Sequence, residues 1–215
     1  MDVKQVFLSG LAMTALLAGT AVAQDSREVH AGPFDRINAG GGFEVEIIQG
    51  DTPSVRLVGD ADDFDDVEVD VRNGLLDIDQ DSGFFSRRRA LDVVVEITVT
   101  HLTELDFNRG VSVQGRDLVL GDLELEVSTG AEVRLSGSCA ALDAHVSTGA
   151  YAHAGDLVCE DVDASGSTGA DLRAHATQSV SGRASTGASI RVYGSPSRYE
   201  FRTSMGGSAR LSSES

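Results

Sequence analysis

Two cysteines have the most distinctive chemistry in this sequence. Cys139 and Cys159 occupy equivalent positions, since each stands ten places before the glycine of a repeated Ser-Thr-Gly-Ala tetrapeptide, Gly149 or Gly169. If the repeats stack as parallel strands about 4.8 Å apart, the cysteines are neighbours at a separation that a disulfide accepts. We expect a disulfide, with two stacked free thiols as the alternative. A metal site is not expected, because no histidine completes a tetrahedral set.

A row of cations in an otherwise acidic chain is the second chemical feature. Four places after the glycine of each repeat stands a side chain that can carry positive charge: Arg134, His153, Arg173, Arg191 and Arg210. On stacked strands these side chains would form one outward column, which we call the cationic stripe. Such a column favours binding of acidic polysaccharide, lipopolysaccharide phosphate or the carboxylates of a partner. The alternative is that each arginine pairs with an acid across a corner and only solvates a flat face.

No catalytic constellation is predicted. Serines such as Ser147 and Ser167 recur at every repeat, whereas a nucleophile needs one special copy beside a base. Strand alternation directs His145 and His153 outward, and no acid is visibly placed to orient either of them. The aspartate-rich stretch at 77–83 lacks the glycine and the glutamate of an EF-hand loop. The sequence therefore indicates no catalytic, cofactor or metal-binding residue.

Short repeats of near-constant length must position these side chains. Ser-Thr-Gly-Ala occurs four times at a near-constant interval, and weaker copies precede and follow the series as Asn-Arg-Gly-Val and Ser-Met-Gly-Gly. The repeats predict six structural corners, at Gly110, Gly130, Gly149, Gly169, Gly187 and Gly206. Each glycine is expected to supply a positive φ or a close approach of the backbone.

Apolar residues alternate between the corners, as at Leu123 and Leu125 and again at Tyr199 and Phe201. Alternation with period two indicates strands with one side facing a core. One repeat cannot bury its apolar row alone, so successive repeats must stack. The sequence therefore predicts an all-β protein: a parallel β-solenoid, similar to a right-handed β-helix, of about five to six rungs.

Upstream of the repeats we expect an antiparallel or mixed β section that caps the first rung. Two alternating runs flank Asn73-Gly74, which is the strongest short hairpin signal. Further strands are predicted at 43–48 and 91–99, and 61–66 is expected to be a loop. No convincing helix pattern follows the leader.

Four segments organise the chain. Residues 1–23 have the layout of a secretory signal peptide, with a basic start, an apolar run and an Ala-Val-Ala cleavage site. Residues 24–107 form the N-terminal β section, 108–211 the solenoid, and 212–215 a polar tail. No later segment approaches transmembrane length. We expect the mature chain to be soluble in the periplasm or outside the cell.

Charge excludes one class of partner. The 215 residues contain 17 Lys and Arg against 34 Asp and Glu, for a formal net charge of −17. Nucleic acid is not expected as a partner, because a strongly acidic surface repels phosphate.

Several segments together resemble one known family. They are Phe34-Asp35-Arg36-Ile37, Val-Glu-Ile-Ile-Gln-Gly at 45–50, Asn-Gly-Leu-Leu-Asp-Ile at 73–78, Leu105-Asp106-Phe107 and the Ser-Thr-Gly-Ala corners. This set is similar to the "putative auto-transporter adhesin" head domain, also called the GIN domain, of secreted and periplasmic bacterial proteins. The resemblance covers nearly all of residues 30–211. It implies a β-solenoid with an adhesin-like role, and it brings no catalytic residues with it.

Two functions stay open at this point. The first is a noncatalytic envelope or surface protein that presents a flat β face to an envelope component, an acidic glycan or another protein, without a cofactor. The second is a carbohydrate-active enzyme, an idea that rests on the analogy of fold alone. Short corners do not build a cleft, and nothing marks a carboxylate pair such as Asp143 and Asp163 as special. We therefore expect binding rather than catalysis, and the sequence indicates no particular oligomeric state.

Overall fold

The structure is a computed structural model that describes residues 24–81 and 90–212. In chain order its strands are β1 (Asp25–Val29), β2 (Arg36–Gly40), β3 (Glu44–Gln49), β4 (Ser54–Gly59), β5 (Val67–Arg72), β6 (Leu75–Gln80), β7 (Val93–Val99), β8 (Glu104–Asn108), β9 (Ser112–Val127), β10 (Glu132–Val146), β11 (Tyr151–Gly166), β12 (Asp171–Ala184), β13 (Ser189–Tyr193), β14 (Arg198–Thr203) and β15 (Ser208–Ser212). A short 3-10 helix of two turns, Ala61–Asp66, lies between β4 and β5. The signal peptide predicted at 1–23 and the end of the polar tail lie outside the described residues.

The strands stack as the coils of a parallel β-solenoid of about five turns, which confirms the predicted fold. One wall, here called sheet A, has the order β1-β4-β7-β3-β9-β10-β11-β12-β13-β15. The other wall, sheet B, has the order β5-β6-β2-β8-β9-β10-β11-β12-β14. The long strands β9 to β12 belong to both walls, because each crosses from sheet A to sheet B at a bend where the register shifts.

The corners are two-residue turns with two left-handed residues. At one corner Thr148 has φ 53° and Gly149 has φ 69°, and the Ala150 N–H donates to the Ser147 carbonyl at 3.1 Å. Two consecutive positive φ values closed by this bond are the pattern of a type I′ turn. The residue before the glycine has positive φ at every one of the six corners: Arg109, Thr129, Thr148, Thr168, Thr186 and Met205. The sequence suggested this conformation for the glycines alone.

Hydrogen bonds between successive coils keep the corners aligned along the solenoid axis. The Gly149 N–H donates to the Thr168 carbonyl at 3.0 Å, and the Ser147 N–H donates to the Val127 carbonyl at 2.9 Å. A positive φ is uncommon for a β-branched residue such as threonine and costs free energy. The inter-rung ladder offsets that cost, since the turn continues the parallel hydrogen bonding of the strands.

The N-terminal section contributes coils as well as a cap. The predicted hairpin is present as β5 and β6, with Asn73 at φ 53° and Gly74 at φ 80°. The strands predicted at 43–48 and 91–99 are present as β3 and β7. However, β2 lies parallel between β6 and β8, and β3 lies parallel between β7 and β9. Parallel stacking therefore begins upstream of the repeats, and the antiparallel strands β1, β4 and β5 lie at its outer end.

The prediction of a loop at 61–66 is wrong, because this segment forms the 3-10 helix. The Asp60 side chain accepts a hydrogen bond from the Asp62 N–H at 3.0 Å, which caps the helix. Phe64 inserts into the core with 3% of its surface exposed. One buried aromatic residue thus fixes a segment whose other side chains are mostly acidic.

Some core columns change from large to small side chains along the coil, and the last coil leaves an apolar side chain exposed. Large side chains such as Ile37 and Phe107 fill the first coils, and Ala144 and Ala164 occupy later ones, all fully buried. Tyr199, predicted to face inward, is register partner to the buried Val180 yet is 65% exposed. The expected burial fails there because β14 pairs with β12 on one side only.

No helix in the described ranges 24–81 and 90–212 has the length and apolarity needed to cross a membrane.

Candidate anion-binding site

The five residues of the cationic stripe occupy one column on sheet A. They are register partners on successive strands: Arg134 with His153, His153 with Arg173, Arg173 with Arg191, and Arg191 with Arg210. Their strand neighbours face the opposite way and are buried, as at Val133 and Leu135, except beside Arg210, where they are partly buried. Parallel strands lie about 4.8 Å apart, so the stripe extends about 19 Å along the solenoid axis.

The same column changes sign toward the N-terminal end. Beyond Arg134 it continues through Gln114 to Glu46, Glu96, Arg56 and Glu28. The single arginine there is neutralised, since its Nε lies 3.0 Å from an Oε2 of Glu96. The larger depression of sheet A, of about 580 Å³, lies in this acidic part. An anion is therefore repelled by the first strands and attracted by the last ones.

Acids neutralise the stripe only in its first half. Arg134 forms an ion pair with Glu132, and the Arg173 Nε lies 3.4 Å from Oδ1 of Asp171. These acids stand two positions earlier on the same strand, rather than across a corner as the alternative interpretation expected.

Serines replace those acids on the last two strands. Ser189 and Ser208 are the register partners that continue the column of Asp171. Arg191 and Arg210 consequently form no ion pair within the described part of the chain. The last two strands thus present two arginines without a neutralising carboxylate.

A depression of about 350 Å³ lies beside the stripe, where β10 and β11 bend. Its charged and aromatic lining consists of Arg116, Arg134, His153, Asp156, Arg173 and Tyr193. Gly155 forms the floor beneath Tyr193, because a Cβ at that position would lie only 2.9 Å from Cε2 of the ring. Glycine therefore lets the aromatic ring lie close to the backbone and form one wall.

The pKa of His153, which lines this depression, lies below its ordinary value. Burial is the largest cause that lowers the pKa of His153 below its ordinary value of 6.5, and the nearby Arg173 and Arg134 lower it further. Asp171 and Glu132 oppose these effects. Burial and the two arginines therefore both disfavour a positive charge on the imidazole. An anion bound here would replace part of that repulsion by attraction.

A carboxylate lies near each of the two histidines, His145 and His153, for which the sequence indicated no acid. The His153 Nε2 lies 3.9 Å from Oδ1 of Asp171, and the His145 Nδ1 lies 3.3 Å from Oδ1 of Asp143. The sequence interpretation was therefore wrong on this point. The register brings Asp171 of the next strand near His153, and Asp143 stands two positions before His145 on the same strand. His145 belongs to sheet B and does not line the depression.

The cysteines lie inside the solenoid and away from the stripe. Cys139 and Cys159 are register partners, their Cα atoms are 4.5 Å apart, and their sulfurs are at bonding distance. Their exposed fractions are 6% and 0%. Leu120 and Ala176 continue the same column on either side. This position suits a covalent link between coils rather than a reactive thiol.

Carboxylates on sheet B form a column of their own. Asp143 pairs in register with Glu124 on one side and Asp163 on the other, and Arg183 Nη1 lies 3.6 Å from Oδ1 of Asp163. Among the described residues, no three His, Cys, Asp or Glu side chains are grouped so that they could hold a metal ion. The arrangement is a regular charged face with no single distinguished carboxylate pair.

Residues 33–196 match the family described as "Putative auto-transporter adhesin, head GIN domain". The chain belongs to this family. The resemblance predicted from the sequence is thereby confirmed, although the match ends before β14 and β15. The comparison with curated proteins gave no match.

Two solved structures share the fold of this GIN-domain protein. A "putative adhesin" from Bacteroides fragilis is 19% identical with a TM-score of 0.69, over 87% of this chain and 95% of that chain. A "putative adhesin" from Parabacteroides distasonis is 13% identical with a TM-score of 0.54, over 88% of this chain and 97% of that chain. At such low identities the likeness shows the fold alone, and with the family it supports an adhesin-like role.

Proposed function

We propose that this GIN-domain protein is a noncatalytic, adhesin-like module that binds acidic polysaccharide of a cell envelope through the cationic stripe. The observation that carries the proposal is the change of charge along one column of sheet A. Arg191 and Arg210, at the end of that column, have no acid partner among the described residues. A surface with a net charge of −17 that nevertheless keeps a row of cations is suited to select anionic ligands at one place.

Geometry and chemistry of the stripe fit a linear polymer of acidic sugars. Guanidinium groups bind carboxylates through paired N–H donors, and those of the stripe are spaced one strand apart. Tyr193 adds an aromatic wall beside Arg173, and sugar rings pack well against such a surface. The polymer would lie along the solenoid axis and cross the strands.

The proposal includes export of the chain. The leader at 1–23 would direct the protein to the periplasm or the cell surface, where envelope polysaccharide is accessible. N-terminal sequencing of the protein recovered from the periplasm and the medium tests this step. The expected first residue is Gln24, and a chain that retains Met1 in the cytoplasm would contradict it.

Binding of oligogalacturonate, measured by calorimetry at two salt concentrations, tests the stripe. The variant R173Q/R191Q/R210Q should lose about tenfold in affinity, if each exposed charge pair contributes about 0.5 kcal/mol. Higher salt should weaken wild-type binding. The matched control R36Q/R72Q/R183Q removes three arginines from sheet B and should bind normally. Unchanged affinity of the stripe variant, or equal loss in the control, contradicts the proposal.

The same samples decide between binding and catalysis. A carbohydrate-active enzyme would generate new reducing ends or unsaturated uronates from the oligogalacturonate during incubation. We expect neither. A depression of about 540 Å³ borders Asp143 and Asp163, but the two-residue corners add no loop that would enclose it. Turnover that disappears in a D143N/D163N variant would establish the enzyme instead.

A further inference from the structure

The two ends of the solenoid differ in how far their apolar residues are covered. At the N-terminal end, Phe64, Val67 and Leu91 cover the first coils and are at most 7% exposed. At the C-terminal end, β14 and β15 each have one strand partner, β12 and β13. The apolar row of this last coil stays accessible, with Tyr199 65% exposed. Phe201, Ala209 and Leu211 belong to the same coil and are only partly buried.

An uncovered coil carries two kinds of unsatisfied surface. Its edge strands present free N–H and C=O groups, which form a template for another strand. Its apolar row is a cross-section of the core that the next coil would bury. Solenoids accordingly need a cap at each end, and the described residues supply one only at the N-terminal end.

We propose that the C-terminal end docks on the same end of a second copy of this chain. In this dimer β14 pairs antiparallel with β14 of the second copy, and β15 pairs likewise with β15. The two-fold axis is perpendicular to both sheets, so sheet A continues into sheet A and sheet B into sheet B. Such a contact is isologous and closes after two copies.

The charges of β14 favour a second copy as the occupant. Arg198, Glu200 and Arg202 alternate on this strand with Tyr199 and Phe201. In an antiparallel pair, a register that sets Arg198 opposite Glu200 of the second copy creates the same contact twice by symmetry. A shift of four positions along one strand instead sets Arg202 opposite Glu200 of the second copy, again twice, whereas the intermediate shift of two positions would set like charges opposite each other. The strand is therefore complementary to itself.

The apolar residues agree with this arrangement. In the register that pairs Arg198 with Glu200 of the second copy, the two Tyr199 rings stand opposite each other. In the alternative register the two Phe201 rings do so. Either arrangement covers apolar surface that a single chain leaves in water, and aromatic pairs across strands add to the stability.

A continuous face results from the dimer. Because sheet A of one copy continues into sheet A of the other, the two cationic stripes lie on the same side of the assembly. The inference itself does not depend on the proposed function, since it rests on β14 and β15 and its test involves no polysaccharide.

The test measures the mass of the mature full-length chain by sedimentation equilibrium from 1 to about 100 µM. We expect a monomer–dimer equilibrium. The variant E200R makes β14 uniformly positive and should weaken the dimer at least tenfold. The control E124R changes an acid in the same column at the middle of sheet B and should leave the dimer intact.

A charge exchange separates loss of the contact from loss of folding. The variant R198E/R202E should also be weakened as a dimer. An equimolar mixture of E200R with R198E/R202E should regain dimers, because opposite charges then face each other across the new edge. A wild-type chain that stays monomeric at every concentration overturns the inference. So does a dimer that E200R leaves unaffected, or a mixture that fails to associate although both variants keep the wild-type circular dichroism spectrum.

Discussion

Replacing both buried cysteines should destabilise the solenoid without touching the cationic stripe. Cys139 and Cys159 are separated by one coil of the chain, and both lie in the core. A bond between them ties the coil of β10 to the coil of β11 and removes conformations from the unfolded chain. The perturbation we consider is the double variant C139A/C159A.

The expected size follows from the length of the closed loop. In the chain-entropy model, a loop of this length contributes about 3 kcal/mol to the free energy of unfolding at 25 °C. For a domain of this size, each kcal/mol corresponds to roughly 2–4 °C in Tm, so the midpoint should fall by roughly 6–12 °C. Loss of the two sulfur atoms from the core adds a smaller packing term.

Urea unfolding of wild type and variant, each with and without reductant, measures this contribution. Reductant should lower the midpoint of the wild type once the protein has been unfolded and refolded in it, and should leave the double variant unchanged. Alkylation of the denatured, unreduced wild type should add no mass. Labelling of both cysteines without reductant, or equal midpoints for all samples, would refute the reasoning.

Three further predictions concern the corners, the bend and the stripe. Thr148→Asn should raise the free energy of unfolding by about 0.5 kcal/mol, because asparagine adopts the left-handed conformation more readily than a β-branched residue; a lower urea midpoint would contradict this. Gly137→Ala should lower the free energy of unfolding by about 3 kcal/mol or more, since φ is 128° and a Cβ would lie 2.0 Å from the Leu118 carbonyl oxygen. At Gly149 a Cβ would meet nothing within 4 Å, so Gly149→Ala should lower it by only about 1 kcal/mol. Equal losses of stability in the two variants would show that the backbone relaxes around Gly137. By NMR, the pKa of His153 should lie below 6.5. The unfolded chain then takes up a proton at this residue before the folded chain does, so stability falls as pH drops below 6.5. Oligogalacturonate should raise this pKa, and a value above 6.5 in the free protein would contradict the effect of burial and the two arginines.

The cationic stripe shows which contacts a repeat period can predict and which it cannot. A near-constant repeat length and an alternation of period two fix which residues share a column, since both are local properties of the chain. The pairing of Arg134 with His153 and of Cys139 with Cys159 could be predicted for this reason. Which of those arginines meet an acid depends on side-chain conformations and neighbouring columns, and the expected pairing across corners was not observed.

At the corners, residue type alone gave an incomplete prediction of the backbone conformation. Glycine signalled each turn correctly, but the preceding threonine also takes a positive φ, against the preference of its side chain. Ladder bonds such as the one from the Gly149 N–H to the Thr168 carbonyl supply the compensation, and they exist only between stacked rungs. A local propensity is thus overridden by contacts with a residue one rung away.

The sequence by itself determined the class of fold, the position of the corners and the residues of each column, because these follow from periodic patterns that neighbouring repeats enforce. Only the tertiary structure decided that β2 and β3 insert between strands that follow them in the chain, and that Tyr199 remains exposed on the last coil. Strand order and end coverage are long-range properties. They depend on which edges remain free when the whole chain has folded, and no short segment of sequence contains that information.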